Sequence, residues 1–462
     1  MNNVIKNLVV ICSTIIVTAC GSNSNDNPVV VQPETPRPIT KVVVIGAGIS
    51  GIKAAHKLSA AGFDVTVLEG RNRVGGRTWS NNDMGTPLDM GASWIHGIKG
   101  NPIHQLATDL KVEMVEWDYD NDIVYDYQGN IDYEIDSKLA TLESDMIGWF
   151  TSALTNDENA SIQDAADIGK ENGDLGHLNE REINFMVNSF TEQDTAAPAN
   201  NTSIAGILSS DGFYGPDVIF PKGYDVLAKT MATDLDVKLN TWVSAINYEA
   251  EKVLVETSQG NYEADYVIVT VPLGVLKKNV ITFTPVLPPN KQDAIDALDM
   301  GVLNKVYLKF DNVFWDNSVT NIAQVSEHKG HWSYWINLAP ATGMPILTAF
   351  NVADYGTEVE QFNDKEIIGK AMANLKKFYS EDIPQPTDYL ITRWASDPFS
   401  YGAYSYIPKG ATAAMRDDLA EPVNGKVLFA GEATNLQYPS TVHGAYLSGE
   451  READRIISMT IP

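Results

Sequence analysis

Gly46, Gly48 and Gly51 stand at the spacing G-x-G-x-x-G in the run Gly46-Ala47-Gly48-Ile49-Ser50-Gly51. Each glycine of such a run has a use. The first permits a tight turn, the second lets backbone approach a pyrophosphate, and the third lets a helix pack closely on a strand. Glu69 follows 23 residues after Gly46, where a carboxylate receives ribose hydroxyls. The elements needed to position these residues are present. Residues 41–45 are a β-branched strand, residues 49–61 read as a helix ended by Gly62, and residues 64–68 are a second strand leading into Glu69. The helix start at Ile49 and Ser50 offers free N–H groups to phosphates. This βαβ unit binds a dinucleotide, with NAD, NADP and FAD all open on these residues alone. Glu69 would repel a 2′-phosphate, so NADP fits worst. In Arg73-Val-Gly-Gly-Arg-Thr78 the paired glycines let backbone lie against a cofactor, and Arg77 could complete phosphate neutralisation. A plain turn with a surface arginine explains that run equally well.

The chain has 462 residues, 44% of them apolar, enough for two or three domains. A formal net charge of −27 disfavours nucleic acid and anionic membranes as partners and favours cations, polycationic metabolites among them. Secreted and salt-adapted proteins are often acidic for other reasons. Both cysteines, Cys12 and Cys20, lie near the start, so the body can hold no disulfide, no cysteine-bound metal and no thioether to a flavin. No metal is expected. Residues 8–19 form an apolar run after Lys6, too short to span a bilayer and suited to a signal peptide. Val17-Thr-Ala-Cys20 resembles a bacterial lipoprotein signal, in which residues 1–19 are removed and Cys20 is acylated. An ordinary signal cut nearby is the alternative. Residues 20–40 carry Pro28, Pro33, Pro36 and Pro38 and read as an extended tether. The expected location is a bacterial cell envelope, lipid-anchored on the periplasmic or surface side of the outer membrane.

Further along, residues 117–136 alternate aromatic and acidic residues around Gln128-Gly-Asn130, suggesting a hairpin. Residues 137–166 and 178–189 look helical, 236–255 and 262–271 strand-rich, 303–310 strand-like, 366–378 an amphipathic helix, 426–430 a buried strand and 445–457 a final helix. Strands able to complete the first sheet lie far downstream. The expected fold class is therefore α/β. A discontinuous Rossmann-like dinucleotide domain (41–125, 215–285 and 415–462) accepts an inserted α+β substrate-binding domain (126–214 and 286–414), a mixed sheet flanked by helices.

A resemblance sharpens this. Glu69 with Arg73, Gly75, Gly76 and Arg77 resembles the second FAD signature of the flavin amine oxidase family. Leu88-Asp-Met-Gly-Ala-Ser-Trp-Ile-His-Gly97 and Asn101-Pro-Ile-His104 resemble its polyamine oxidase branch. Further matches are Phe220-Pro-Lys-Gly-Tyr224, Val267-Ile-Val-Thr-Val-Pro-Leu-Gly-Val-Leu276, Leu303-Asn-Lys-Val306, Arg393-Trp394 with Asp397-Pro-Phe399, and Leu428-Phe-Ala-Gly-Glu-Ala-Thr434 running into Tyr438-Pro-Ser-Thr-Val-His-Gly-Ala445. They span residues 41–457 in family order.

The resemblance implies FAD as cofactor and oxidation of a carbon next to a substrate nitrogen. A hydride equivalent passes to flavin N5, the imine hydrolyses to aldehyde and amine, and O2 reoxidises the flavin to H2O2. Lys305 matches the lysine that holds a water near N5. By pattern alone Lys305, Tyr307 and Lys309 share a strand's polar face, where a solvated lysine is the default. His96 matches a polar residue facing the substrate, and Tyr438 and Tyr404 match two walls of an aromatic cage around the amine. Each could instead be structural. Gly91, Ala92, Ser93 and Trp94 would run beside the flavin, Trp394 would pack by it or line the tunnel, and Glu432 would meet the ribityl–phosphate region. Val442, after Thr441, would offer its N–H to the pyrimidine, and Val243 its backbone to adenine. Ala403 stands where monoamine oxidases carry a flavin-linking cysteine, which implies non-covalent FAD. His443 has no evident acid–base task. An L-amino-acid oxidase is the alternative within the enzymes, but the arginine-bearing segment of such enzymes is replaced by Gly91-Ala-Ser-Trp-Ile-His96. A polyamine-binding surface lipoprotein with little turnover is the alternative of another class. The expected partners are a polyamine and O2, no nucleic acid, and a membrane only through the lipid anchor. Oligomeric state is left open.

Overall fold

The computed structural model describes residues 39–140 and 142–461. The expected signal peptide, Cys20 and nearly all of the expected tether lie outside the described residues. Five parallel strands build the first sheet, in the order Val427–Phe429, Tyr266–Val269, Lys41–Ile45, Asp64–Leu68, Asp236–Lys238. Its inner strands are largely apolar on both faces because both are covered, whereas the edge strand Asp236–Lys238 exposes its two charged residues. Val42, Val44, Val65 and Val67 enter one core with the helices, and Val43, Ile45, Val267 and Val269 enter another. The helices Ile49–Ala60 and Val442–Thr460 pack with their backbones in near contact, since a Cβ on Gly449 would collide with the carbonyl of Ser50. The first and last helices of the cofactor site are thereby fixed to each other.

A six-stranded mixed sheet follows the order Asp388–Ile391, Leu303–Lys309, Ile346–Val352, Tyr334–Asn337, Asn321–Gln324, Asp122–Tyr125. The strand Asp122–Tyr125, which the sequence reading placed with the dinucleotide part, pairs in parallel with Asn321–Gln324 here. The expected hairpin around Gln128 is only partly formed. The turn exists, closed by the Asp126 carboxylate accepting from Gln128 N and Asn130 N, but its second arm makes a single bridge, Tyr125 to Ile131. The chain then turns into helices Ile135–Leu139, Leu142–Asn156, Ile162–Asn172 and Glu180–Val187. A short π-helical turn, Asn188–Glu192, extends the last, a distortion often found at functional sites.

The polar-face reading of the 303–309 strand fails for a tertiary reason. Val306 and Leu308 face a core beneath the helix Asp364–Phe378. The opposite face meets the 84–96 segment rather than water, and Tyr307 packs there with Met84, Leu88 and Met90. Lys305 is 1% exposed.

Candidate active site

One elongated cavity of about 1000 Å³ runs from the glycine turn to the six-stranded sheet. At its first end stand Gly46, Gly48, Ile49, Ser50, Glu69, Val243 and Arg77. Gly46 takes φ +104°, and a Cβ there would press on Thr270 Oγ1 at 2.6 Å. A Cβ on Gly51 would collide with the Gly46 carbonyl, so only glycine lets helix and strand meet. A Cβ on Gly48 would meet nothing within 4 Å and would project into open space, leaving room for a diphosphate. Glu69 is 6% exposed; its Oε2 accepts from Ala47 N at 2.7 Å and its Oε1 from Arg71 N at 2.8 Å. A carboxylate keeps further lone pairs for ribose hydroxyls.

Glu432 lies at mid-cavity, buried, and accepts from Arg77 Nη1 at 2.9 Å, Ser405 Oγ at 2.6 Å and Ser440 N at 3.1 Å. Burial opposes its ionisation, but Arg77 and Arg416 hold its carboxyl below the ordinary value. The sequence reading did not single out Arg416. It comes from the helix Met415–Ala420, is 1% exposed, and donates from Nη1 to Ser405 Oγ at 2.7 Å. Its Nε has no partner among the described residues. Two guanidiniums around one carboxylate leave a buried positive charge at the cavity wall, which suits an anionic cofactor. Thr441 caps the helix Val442–Thr460, and its hydroxyl accepts from Gly444 N. Val442 at that first turn has a backbone N–H with no intrahelical partner. An FAD fits these residues: diphosphate at Gly48 and the helix start, ribityl near Arg77 and Glu432, flavin ring toward Gly91, Ala92, Ser93, Trp94 and Trp394.

Beyond that point the lining changes. Lys305 Nζ donates to Asp89 O at 2.7 Å, Gly91 O at 2.7 Å and Ser93 Oγ at 2.6 Å. Burial pulls its pKa down against the attraction of Asp89. Trp394 is buried and donates its indole N–H to Met90 O at 3.1 Å. His96 faces the cavity, and its Nδ1 lies 2.7 Å from Asp217 Oδ2. Asp217 also accepts from Gly97 N at 2.8 Å and from Tyr119 Oη at 3.1 Å. A carboxylate with those donors places the proton on His96 Nδ1 and leaves Nε2 toward the cavity. Tyr404 Oη donates to the backbone carbonyl of Asp194 at 3.1 Å. Burial, Asp194 and Glu432 push its phenol pKa up. Asp122, Asp136, Asp194, Tyr119 and Tyr334 line the same limb. Burial and the neighbouring Asp136 push the Asp122 carboxyl up to about 6.

The cavity thus brings together Lys305, His96, Tyr404 and Trp394. Tyr438 stands apart from its lining. Its ring stacks on Phe213 at 4.7 Å and 15°, with His443 edge-on at 5.3 Å. The 209–217 loop supplies Phe213, and no residue pattern announced that loop's position.

Residues 49–457 match the family of flavin containing amine oxidoreductases. Polyamine oxidase 4 of Oryza sativa subsp. japonica is 35% identical over 434 residues, covering 89% of this chain and 88% of the rice protein. Lysine-specific histone demethylase 2 of Homo sapiens is 31% identical, covering 90% of this chain but 53% of the human protein. A solved structure of wild-type putrescine oxidase bound to putrescine superposes with a TM-score of 0.74 at 21% identity, over 91% of this chain and 99% of that one. The likeness runs through both the cofactor end and the substrate limb, and the chain belongs to the flavin-containing amine oxidoreductase family as an FAD-dependent amine oxidase.

Proposed function

We propose that the protein oxidises polyamines, spermine, spermidine or their acetylated forms, and that the lining of the substrate limb carries this reading. Asp122, Asp136 and Asp194 stand there with Tyr119, Tyr334 and Tyr404. Carboxylates and aromatic faces together suit ammonium groups spaced along a chain. The arginines of the cavity, Arg71, Arg77 and Arg416, are engaged at its cofactor end. Arg71 pairs with Asp397 at 2.7 Å, and none is placed to receive an amino acid's carboxylate. That weighs against an L-amino-acid oxidase.

The flavin, when bound, supplies the hydride acceptor and the reaction with O2 that yields H2O2. The protein's residues prepare the amine. A substrate nitrogen must be neutral to react, and His96 Nε2, with its tautomer fixed by Asp217, is the group to take its proton. Tyr404 lines the limb that takes the amine, whereas Tyr438 lies outside that lining, stacked on Phe213. Buried Trp394 and half-buried Trp94 exclude water until the imine leaves to be hydrolysed to aldehyde and amine.

The test is anaerobic flavin bleaching against polyamines, acetylated polyamines, monoamines and amino acids, with product identification. Bleaching by polyamines, with peroxide released on admitting air, is expected. Bleaching by amino acids alone would overturn the reading, and tight polyamine binding without bleaching would favour a binding lipoprotein. Envelope anchoring through Cys20 is a separate proposal, resting on the Val17-Thr-Ala-Cys20 run. Detergent-phase partitioning of the wild type that is lost in Cys20→Ala is expected, and equal partitioning would refute it.

A further inference from the structure

Two walls of the substrate limb come from segments far apart in the chain. One is the end of the helix that begins at Glu180, where Phe185, Ser189, Gln193 and Asp194 line the cavity. Phe185 and Asp194 are nine residues apart and would fall on opposite faces of a plain α-helix, at about 100° per residue. The π-helical turn Asn188–Glu192 takes up one extra residue, which brings Asp194 round to within about 80° of Phe185. The other wall is the pair of strands Asn321–Gln324 and Tyr334–Asn337, which contributes Asn321, Ala323 and Tyr334.

Behind the lining the two walls are joined. Asn188 and Glu192 do not line the cavity; they are 1% and 2% exposed and meet the loop 325–333 that connects the two strands. Lys329 Nζ donates to Glu192 Oε1 at 2.7 Å, Ser333 Oγ to Asn188 Oδ1 at 2.8 Å, and Asn188 Nδ2 to Glu192 Oε2 at 2.9 Å. Ala199 N also donates to Glu192 Oε1, at 2.9 Å. A Cβ on Gly330, at φ +75°, would come within 3.0 Å of Asn188 Nδ2, so the loop is seated directly on the turn. On the cavity side the Asp194 carbonyl accepts from Tyr404 Oη at 3.1 Å, which ties the same turn to a third part of the limb.

We propose that the Asn188–Glu192 turn and the 325–333 loop form a clamp that sets the width of the substrate limb, with Glu192 and Lys329 as positioning residues for the amine chain. The pair touches neither cofactor nor substrate. It acts by holding a turn that a plain helix would not adopt, and so by aiming the Asp194 position into the limb. The inference rests on the amine occupying this limb, as proposed above, but not on which amine it is.

The test is steady-state kinetics of the holoprotein, with the amine that bleaches the wild-type flavin fastest, for wild type, Lys329→Met, Lys329→Arg, the double variant Glu192→Gln/Lys329→Met, and Ser333→Ala. Lys329→Met leaves a buried carboxylate without its cation, and it should raise KM about tenfold with kcat within about twofold of wild type. Loss of a positive charge by itself would draw in a cationic amine and lower KM, so a rise reports the geometry. Lys329→Arg, and the double variant that removes both charges together, should bring KM back to within about threefold of wild type. Flavin content and the visible spectrum should stay as in wild type throughout. An equal or lowered KM in Lys329→Met, or a fall in kcat with flavin loss that the double variant does not repair, would overturn the clamp. If Lys329→Met fails to fold, Ser333→Ala decides: loss of one hydroxyl should raise KM about threefold at constant kcat, and an equal KM would overturn the clamp. If no polyamine bleaches the wild type, the polyamine reading fails, while the same comparison with another amine still judges the clamp.

Discussion

Asp217 shows how one residue can set another's chemistry. It lies 121 positions from His96 and reaches its ring only because the strand Val218–Ile219 pairs with Trp94–Ile95. Replacing it with asparagine keeps the shape but offers a side-chain amide in place of an acceptor-only group, so the imidazole loses its fixed tautomer. Asp217→Asn should lower kcat/KM for polyamines by about 10²-fold, the lower range for general acid–base groups, with flavin content unchanged. Unaltered kinetics would remove His96 from the proton-transfer role. Arg416→Met should weaken flavin binding to the apoprotein by roughly tenfold or more, the value of one lost charge-assisted hydrogen bond. A flavin Kd equal to wild type would make Arg416 purely structural. Burial and the neighbouring Asp136 push the Asp122 carboxyl up to about 6. Its carboxylate attracts a distal ammonium only when ionised, so KM should rise as pH falls through about 6. In Asp122→Asn it should be high and nearly flat there, and a parallel profile would rule the residue out.

At the scale of elements, lysines close helix ends beneath the cofactor sheet. Lys291, in the helix Pro289–Ala297, donates to Asp418 O at 3.0 Å and Leu419 O at 2.7 Å, at the end of the helix that carries Arg416. Its ammonium sits 4.1 Å above the Phe429 ring. Burial lowers its pKa to about 7, below the 10.5 of an unfolded chain. The folded state therefore gives up this proton first. Lys291 adds a rise in stability as pH climbs from about 7 toward 10.5, at most about 1.4 kcal/mol per unit, and adds no slope below 7. Urea denaturation at pH 6.5 and 9 should show this rise in wild type and lose it in Lys291→Met. Equal pH responses would show that the lysine stays charged when buried. Most of these elements were legible as sequence: the βαβ unit, the helix Asp364–Phe378 and the strand Val427–Phe429 fall close to where periodicity put them. The acidic stretch was misread as a hairpin because its alternation serves a strand whose partner, Asn321–Gln324, lies two hundred residues away.

Over the whole molecule, the net charge of −27 surrounds a cavity whose substrate limb is itself acidic. The residues of the acidic stretch divide their duties. Asp126 is spent on a turn, whereas Asp122 and Asp136 line the cavity. Long-range attraction of a polycation is screened within about 10 Å at 0.1 M salt. kcat/KM should therefore fall several-fold as ionic strength rises from about 0.01 to 0.5 M, chiefly for the most highly charged amines. A flat response would confine the charge to solubility. The Arg71–Asp397 pair, bidentate at 2.7 and 2.9 Å, ties the cofactor turn to the loop carrying Phe399 and Tyr401. It holds the two halves of the cavity in register.

The sequence alone determined the cofactor grip. Gly46, Gly48, Gly51 and Glu69 act through local geometry, a turn, a helix start and a strand end within one short unit, and such geometry is written in neighbouring residues. It also excluded a cysteine link to the flavin, because the body of the chain contains no cysteine. Tertiary structure decided what Lys305 is. Alternation along its strand says that a face is polar, but cannot say whether water or another segment covers it. Here the 84–96 segment does, and three acceptors from that segment meet the lysine's ammonium. The same holds for Asp217 behind His96, for Arg416 behind Glu432, and for Phe213, which stacks on Tyr438. Each depends on chain segments far apart in sequence, whose meeting is fixed by how sheets and helices pack.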